Sequence, residues 1–141
     1  MRAKEIADKA IERVGAGDDF ILINFANADM VGHTANQPAI ITAVETVDRE
    51  LKRVVDALLA KNGAAIVTAD HGNAEQNIDP QTGELHTAHT LNQVPFILVS
   101  GLQATRYKLH AKNDSLADIA PTILELMQLR KPATMTGTSL I

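Results

Sequence analysis

The sequence predicts an α/β fold in which short buried strands alternate with amphipathic helices. Three features carry this expectation: an apolar run at Phe20–Phe25, a long helical pattern opening at Pro38, and a second apolar run at Ala64–Asp70. Strand, helix and strand in that order make a βαβ unit, whose crossover is right-handed in nearly all proteins. The scale suits one domain, since the chain has 141 residues, 45% of them hydrophobic and 21% charged.

Each element has its own local reason. Ile6, Ala7, Ala10, Ile11 and Val14 recur at helical spacing between charged residues, and Gly15 and Gly17 end that run. Phe20–Phe25 is nearly continuous in apolar residues, the pattern of a strand buried on both faces in a parallel sheet. From Pro38 onward, Ile40, Val44, Val47, Leu51, Val54, Val55 and Leu58 share one helix face, while Glu45, Arg49, Lys52 and Asp56 share the other. Glu45 with Arg49 and Asp48 with Lys52 have the spacing of surface ion pairs, and Gly63 is the stop. Residues His71–Gln93 are polar and turn-rich, after which Val94–Val99 reads as a third strand, with Pro95 at its start. A last helix runs through Ile119, Ile123, Leu124 and Met127, capped by Ser115 or Asp118, with Pro121 in its first turn. The tail Lys131–Ile141 is loop-like, and no repeat or linker divides residues 1–141.

Composition excludes several classes of function. Thirteen Lys and Arg against seventeen Asp and Glu give a net charge of -4, with no basic footprint for nucleic acid. There is no Cys, so a metal must be held by His, carboxylate or hydroxyl oxygen. No apolar stretch suits a signal peptide or a membrane span, and the expected location is the cytoplasm. Aromatic residues make up only 3% and Trp is absent, a lean supply of large core side chains.

The unusual polar residues gather at strand ends. Asn27 to His33 follows the first strand, Asp70-His71-Gly72-Asn73 follows the second, and His86-Thr87-Ala88-His89-Thr90 precedes the third. In an open α/β sheet the ligand crevice lies beyond the carboxyl ends of the strands, which brings Asp29, His33, Asp70 and His71 to one edge. His89 reaches that edge only if the third strand runs antiparallel to the others, so an antiparallel third strand is expected. Carboxylate and imidazole together suit Zn or Mn, and these clusters can supply the four or five ligands of one or two ions. Taken singly, each Asp is a turn or cap former and each His a solvated side chain; four of the five histidines beside two strand-end Asp residues favour a site. His110 lacks such company and is assigned to the surface, while His86 is open between a supporting role, a substrate contact and none. Asn24, Asn27, Asn73 and Thr90 could orient ligands or cap loops. None of Ser100, Ser115 and Ser139 stands in a G-x-S-x-G elbow, and there is no phosphate-cradling P-loop.

The wording of these clusters is specific. Asn24-Phe25-Ala26-Asn27-Ala28-Asp29-Met30-Val31-Gly32-His33-Thr34, Thr68-Ala69-Asp70-His71-Gly72-Asn73-Ala74-Glu75 and His86-Thr87-Ala88-His89-Thr90 with Val94-Pro95-Phe96 closely resemble the C-terminal segment of the cofactor-independent (2,3-bisphosphoglycerate-independent) phosphoglycerate mutases. Asp118-Ile119-Ala120-Pro121-Thr122-Ile123-Leu124 and Met135-Thr136-Gly137 are similar to the same family, in the same order. Phosphopentomutases and alkaline phosphatases share the Asp-His-Gly theme but not the wording around it.

The resemblance implies part of an alkaline-phosphatase-like three-layer α/β/α domain with a mainly parallel sheet and one antiparallel strand. It further implies two Mn ions, with Zn, Co or Mg as substitutes. Asp29, His33 and His89 would hold one ion, and Asp70 with His71 the other. The implied reaction interconverts 3-phosphoglycerate and 2-phosphoglycerate through a phosphoserine, whose Ser lies in the family's N-terminal part. That part, and the family's inserted phosphotransferase domain, have no counterpart in these 141 residues. The expected partners are therefore phosphoglycerate and a separate N-terminal polypeptide, and the chain alone is expected to be inactive. Competing readings are another metal-dependent phosphomutase or phosphomonoesterase of the same superfamily, and a non-catalytic metal-binding module.

Overall fold

A computed structural model describes residues 1–101, 107–109 and 115–141. His110 lies outside the described residues. The chain divides into two compact units, Met1–Gly101 and Leu102–Ile141.

In the first unit, α1 (Ala3–Ala16), α2 (Asn27–Gly32) and α3 (Gln37–Leu59) precede β1 (Ala64–Thr68) and β2 (Phe96–Ser100). Helix α1 buries Ala3, Ala7, Ala10 and Val14, a stripe of mostly small side chains that lets it lie close against α3. Ala7 and Ala10 meet Val54 of α3, with Ile11, Ile23 and Phe25 packed around them. A seam of small residues needs few aromatics, which accounts for part of the lean composition. Along its flank Arg53 donates to Asp8 at 2.6 Å and to Glu50 at 2.5 Å, tying the two helices together. Gly17 closes α1 in the left-handed region at φ 87°, its N–H reaching the carbonyls of Arg13 and Val14.

Helix α3 starts where Asn36 accepts from the Ala39 N–H and Pro38 fills the first turn. Its buried stripe is Ile40, Ala43, Glu50 and Val54, rotated from the expected face, so that Val44 is 46% exposed. On this stripe Val54 meets Ala7 and Ala10 of α1, and Arg53 compensates the enclosed Glu50 carboxylate. Lys52 pairs with Asp56 rather than with Asp48, and Arg49 donates to Glu50 rather than pairing with Glu45.

Strands β1 and β2 pair antiparallel, with Ala64 opposite Ser100 and Thr68 opposite Phe96. The expected antiparallel third strand is therefore present. Phe20–Phe25 departs from expectation. It is extended but forms no ladder, and the sheet among the described residues has two strands. Nor is it buried on both faces: Ile21, Ile23 and Phe25 turn inward, while Leu22 is 85% and Phe20 53% exposed. A run of apolar residues sets the tendency to extend, but a strand also needs a neighbour to take its N–H and C=O groups.

In the second unit, Ser115 and Asp118 form a capping box over the turn Leu116–Asp118, which leads into α4 (Ile119–Leu126) with Pro121 in the first turn. The tail has no regular structure but is tied down. Thr122, fully buried, donates to the Asp118 carbonyl at 2.7 Å and accepts from the Leu140 N–H at 3.0 Å. Asp118 also accepts from the Thr138 N–H at 2.7 Å, and Lys131 donates to the Met135 and Gly137 carbonyls.

Candidate metal centre

Three segments of the first unit build the site. Short helix α2 carries Asp29, and His33 follows at its C-terminal cap, four residues on and so on the same face. The chain leaving β1 supplies Asp70 and His71. A single antiparallel bridge between Gly72 and Thr90 then lays the His89 segment alongside, with the Thr90 N–H on the Gly72 carbonyl at 2.9 Å.

The result is a triangle of donor atoms. Asp29 Oδ1 lies 3.3 Å from His33 Nε2 and 3.1 Å from His89 Nε2, and the two imidazole nitrogens are 3.2 Å apart. Donor atoms bound to one small divalent cation stand about 3.0 Å apart at octahedral corners and about 3.3 Å apart at tetrahedral ones. The edges of the triangle fall in that interval, so these three residues fit a metal ion. His71 stacks on His89 with ring centroids 3.6 Å apart and 17° between planes. Its donor atom lies within 4.8 Å of those of Asp29 and His89. Asp70 stands at the rim, its side chain 83% exposed and Oδ1 3.6 Å from His71 Nε2. His71 thus bridges the triangle and Asp70.

Supporting contacts orient the donors. His33 Nδ1 donates to the Thr87 carbonyl at 2.6 Å; the carbonyl can only accept, which leaves the Nε2 lone pair toward Asp29 and His89. Asn73, 4% exposed, donates through Nδ2 to Asp29 Oδ1 at 2.7 Å and to the Asp29 carbonyl at 3.3 Å. That amide hydrogen bond holds the Asp29 carboxyl below its usual range against desolvation, with further pull from His33, His89 and His71. The site thus sets an ionised carboxylate beside the ring nitrogens of His33 and His89.

Of the other polar residues, Asn27 is buried at the start of α2 and Asn24 is exposed on the extended segment. His86 donates its N–H to the Asn77 carbonyl at 2.9 Å, and its Nδ1 is enclosed without a protein partner. Glu75 has no role in a reading of the sequence, yet it takes hydrogen bonds from both loops of the site. In the sequence it stands only as the last residue of the Thr68–Glu75 motif, with no role attached to it.

Comparison with known proteins gives the family. The metalloenzyme superfamily model matches residues 1–131. The 2,3-bisphosphoglycerate-independent phosphoglycerate mutase of Cereibacter sphaeroides is 55% identical over 141 residues, taking in 100% of this chain and 27% of its own length. That of Herpetosiphon aurantiacus is 57% identical over 146 aligned residues, again with 100% and 27% covered. Crystal structures of Leishmania mexicana phosphoglycerate mutase at low cobalt concentration match with a TM-score of 0.90 and 33% identity, over 99% of this chain and 28% of that one. This chain spans about a quarter of the length of the curated relatives it matches. With the superfamily model matched along nearly its whole length, and a donor triangle of metal-binding dimensions, the chain belongs to the metalloenzyme superfamily.

Proposed function

We propose that residues 1–141 are the metal-binding portion of a cofactor-independent phosphoglycerate mutase, which interconverts 3-phosphoglycerate and 2-phosphoglycerate in the cytoplasm through a serine outside this chain. With the rest of that enzyme they complete an alkaline-phosphatase-like three-layer α/β/α domain, in which Phe20–Phe25 and β1 join a mainly parallel sheet and β2 is its antiparallel member. Asp29, His33 and His89 hold one ion, and Asp70 with His71 hold the second. Mn is the expected metal, with Zn, Co or Mg able to replace it; the Leishmania mexicana mutase structures were determined at low cobalt concentration. The observation that carries this reading is the Asp29, His33 and His89 triangle, with edges of 3.1–3.3 Å.

The residues suit phosphoryl transfer electrostatically. When bound, a pair of divalent cations polarises phosphoryl oxygen, lowers the pKa of the attacking hydroxyl and offsets developing charge. Asp29 and Asp70 are the anionic ligands of this chain, and His33, His71 and His89 bind as neutral imidazoles. Two dications against two carboxylates leave net positive charge, which favours a phosphate dianion. Thr87 and Asn73 keep the donor atoms aimed, so that little ordering remains to be done when the ion enters.

The test uses the full-length protein that contains this segment. Asp29→Asn and His89→Ala each lower bound Mn and reduce conversion of 3-phosphoglycerate to 2-phosphoglycerate at least a hundredfold. Release of inorganic phosphate in place of 2-phosphoglycerate would assign a phosphomonoesterase, and unchanged turnover in both variants would remove the metal site from the reaction.

A further inference from the structure

We propose that Glu75 is a positioning residue that clamps the two histidine-bearing loops together and, through Asn73, holds Asp29 for the metal; the proposal rests on reading Asp29, His33 and His89 as a metal site. Its carboxylate is used on both oxygens. Oε2 accepts from the Asn73 N–H at 2.6 Å, in the loop that carries His71. Oε1 accepts from Thr90 Oγ1 at 2.5 Å and from Asn92 Nδ2 at 2.9 Å, in the loop that carries His89.

The chain of contacts continues to the donor triangle. Asn73, fixed at its backbone by Glu75, presents Nδ2 to Asp29 Oδ1 and lies 3.4 Å from His33 Nε2. Thr90, fixed at its hydroxyl, adjoins His89 in the chain. One carboxylate thus restrains the residue that follows His89 and, two residues after His71, the asparagine whose side-chain amide touches Asp29. The spacing depends on two glycines. A Cβ at Gly72 would collide with Thr90 Oγ1 and Glu75 Oε1, and a Cβ at Gly32 with the Asn73 side chain. Only a carboxylate completes the arrangement, because a glutamine would turn an N–H₂ group toward one of the two sets of donors.

The experiment compares the full-length protein that contains this segment with its Glu75→Gln, Thr90→Val and Thr90→Ser variants, by Mn²⁺ titration and by amide hydrogen exchange without metal. Glu75→Gln and Thr90→Val are expected to weaken Mn²⁺ binding about tenfold, whereas Thr90→Ser, which keeps the hydroxyl, binds as the parent does. In the metal-free state, Glu75→Gln speeds exchange at the Asn73 and Thr90 amides, with the amides of α1 and α3 unchanged. Wild-type Mn²⁺ affinity in Glu75→Gln, or unaltered exchange at both amides, overturns the proposal. If the full-length parent takes up no Mn²⁺ while the two amides still respond, the metal reading fails and the clamp itself stands.

Discussion

His33 Nδ1 donates to the carbonyl oxygen of Thr87 at 2.6 Å, across 54 positions of sequence. The bond settles which ring nitrogen carries the proton in neutral His33, and it turns Nε2 toward Asp29 and His89. Two-bond ¹H–¹⁵N spectra of the metal-free chain above neutral pH will show His33 protonated at Nδ1. A ring protonated at Nε2 would contradict the donor triangle.

The pH dependence of the loop clamp follows from Glu75. Desolvation pushes its carboxyl up, but donors from Thr90, Asn92 and the backbone amides of Glu75 and Asn73 outweigh it and bring the pKa down to about 2, from 4.5. A carboxyl with a lowered folded pKa stabilises the fold above its unfolded value, and that contribution is lost as pH falls through the folded value. Exchange protection of the Asn73 and Thr90 amides will therefore hold at pH 5 and above and decline between 4.5 and about 2. In Glu75→Gln this acid-dependent decline will be absent.

Thr122 and Leu140 anchor the tail of the second unit. Thr122→Val keeps the shape of the side chain but strands the buried Leu140 N–H, a loss of about 1–3 kcal/mol. Urea unfolding will register it, and the Leu140 amide will exchange faster than in the parent chain. Equal protection in both would mean that the tail is held by Asp118 and Lys131 alone.

The extended segment tests how far burial can be read from sequence. Phe20–Phe25 is apolar almost throughout, which suggests enclosure on both sides, yet only alternate residues touch the core. Phe25→Ala will cost about 2 kcal/mol, roughly half the loss at a fully buried Phe. Leu22→Ser will change the unfolding free energy by less than about 0.5 kcal/mol. Similar losses at both positions would restore the two-faced strand.

What was legible in the sequence follows a physical division. The direction of β2 could be argued because His89 reaches the crevice only if its strand runs back, and helix ends could be read from Gly17, Pro38 and Ser115, whose effects are local. Asp29, His33, Asp70, His71 and His89 could be gathered at one edge because carboxylate and imidazole at strand ends have few other uses together, whereas grouping Asp29 with His33 and His89 rested on the family resemblance. Glu75 was not readable. Its partners Thr90 and Asn92 lie 15 and 17 residues away, and Asn73 meets Asp29 across 44, distances over which no periodic pattern acts.

The last prediction concerns turnover by these 141 residues alone. A phosphomutase that passes a phosphoryl group through serine needs that hydroxyl at the metal centre. Ser100 ends β2 opposite Ala64, at the far end of the hairpin from Asp70 and His71, which follow Thr68. About four residues of strand, roughly 13 Å, separate the two ends. Ser115 is engaged in the capping box before α4, and Ser139 accepts from the Ile141 N–H. The chain by itself will therefore bind Mn²⁺ through Asp29, His33 and His89 and give no detectable conversion of 3-phosphoglycerate to 2-phosphoglycerate. Adding a polypeptide that brings the serine will start turnover, and His33→Ala will stop it again. Turnover by the isolated chain would show that the nucleophile is one of its own residues and would direct attention to Thr90 and Ser100.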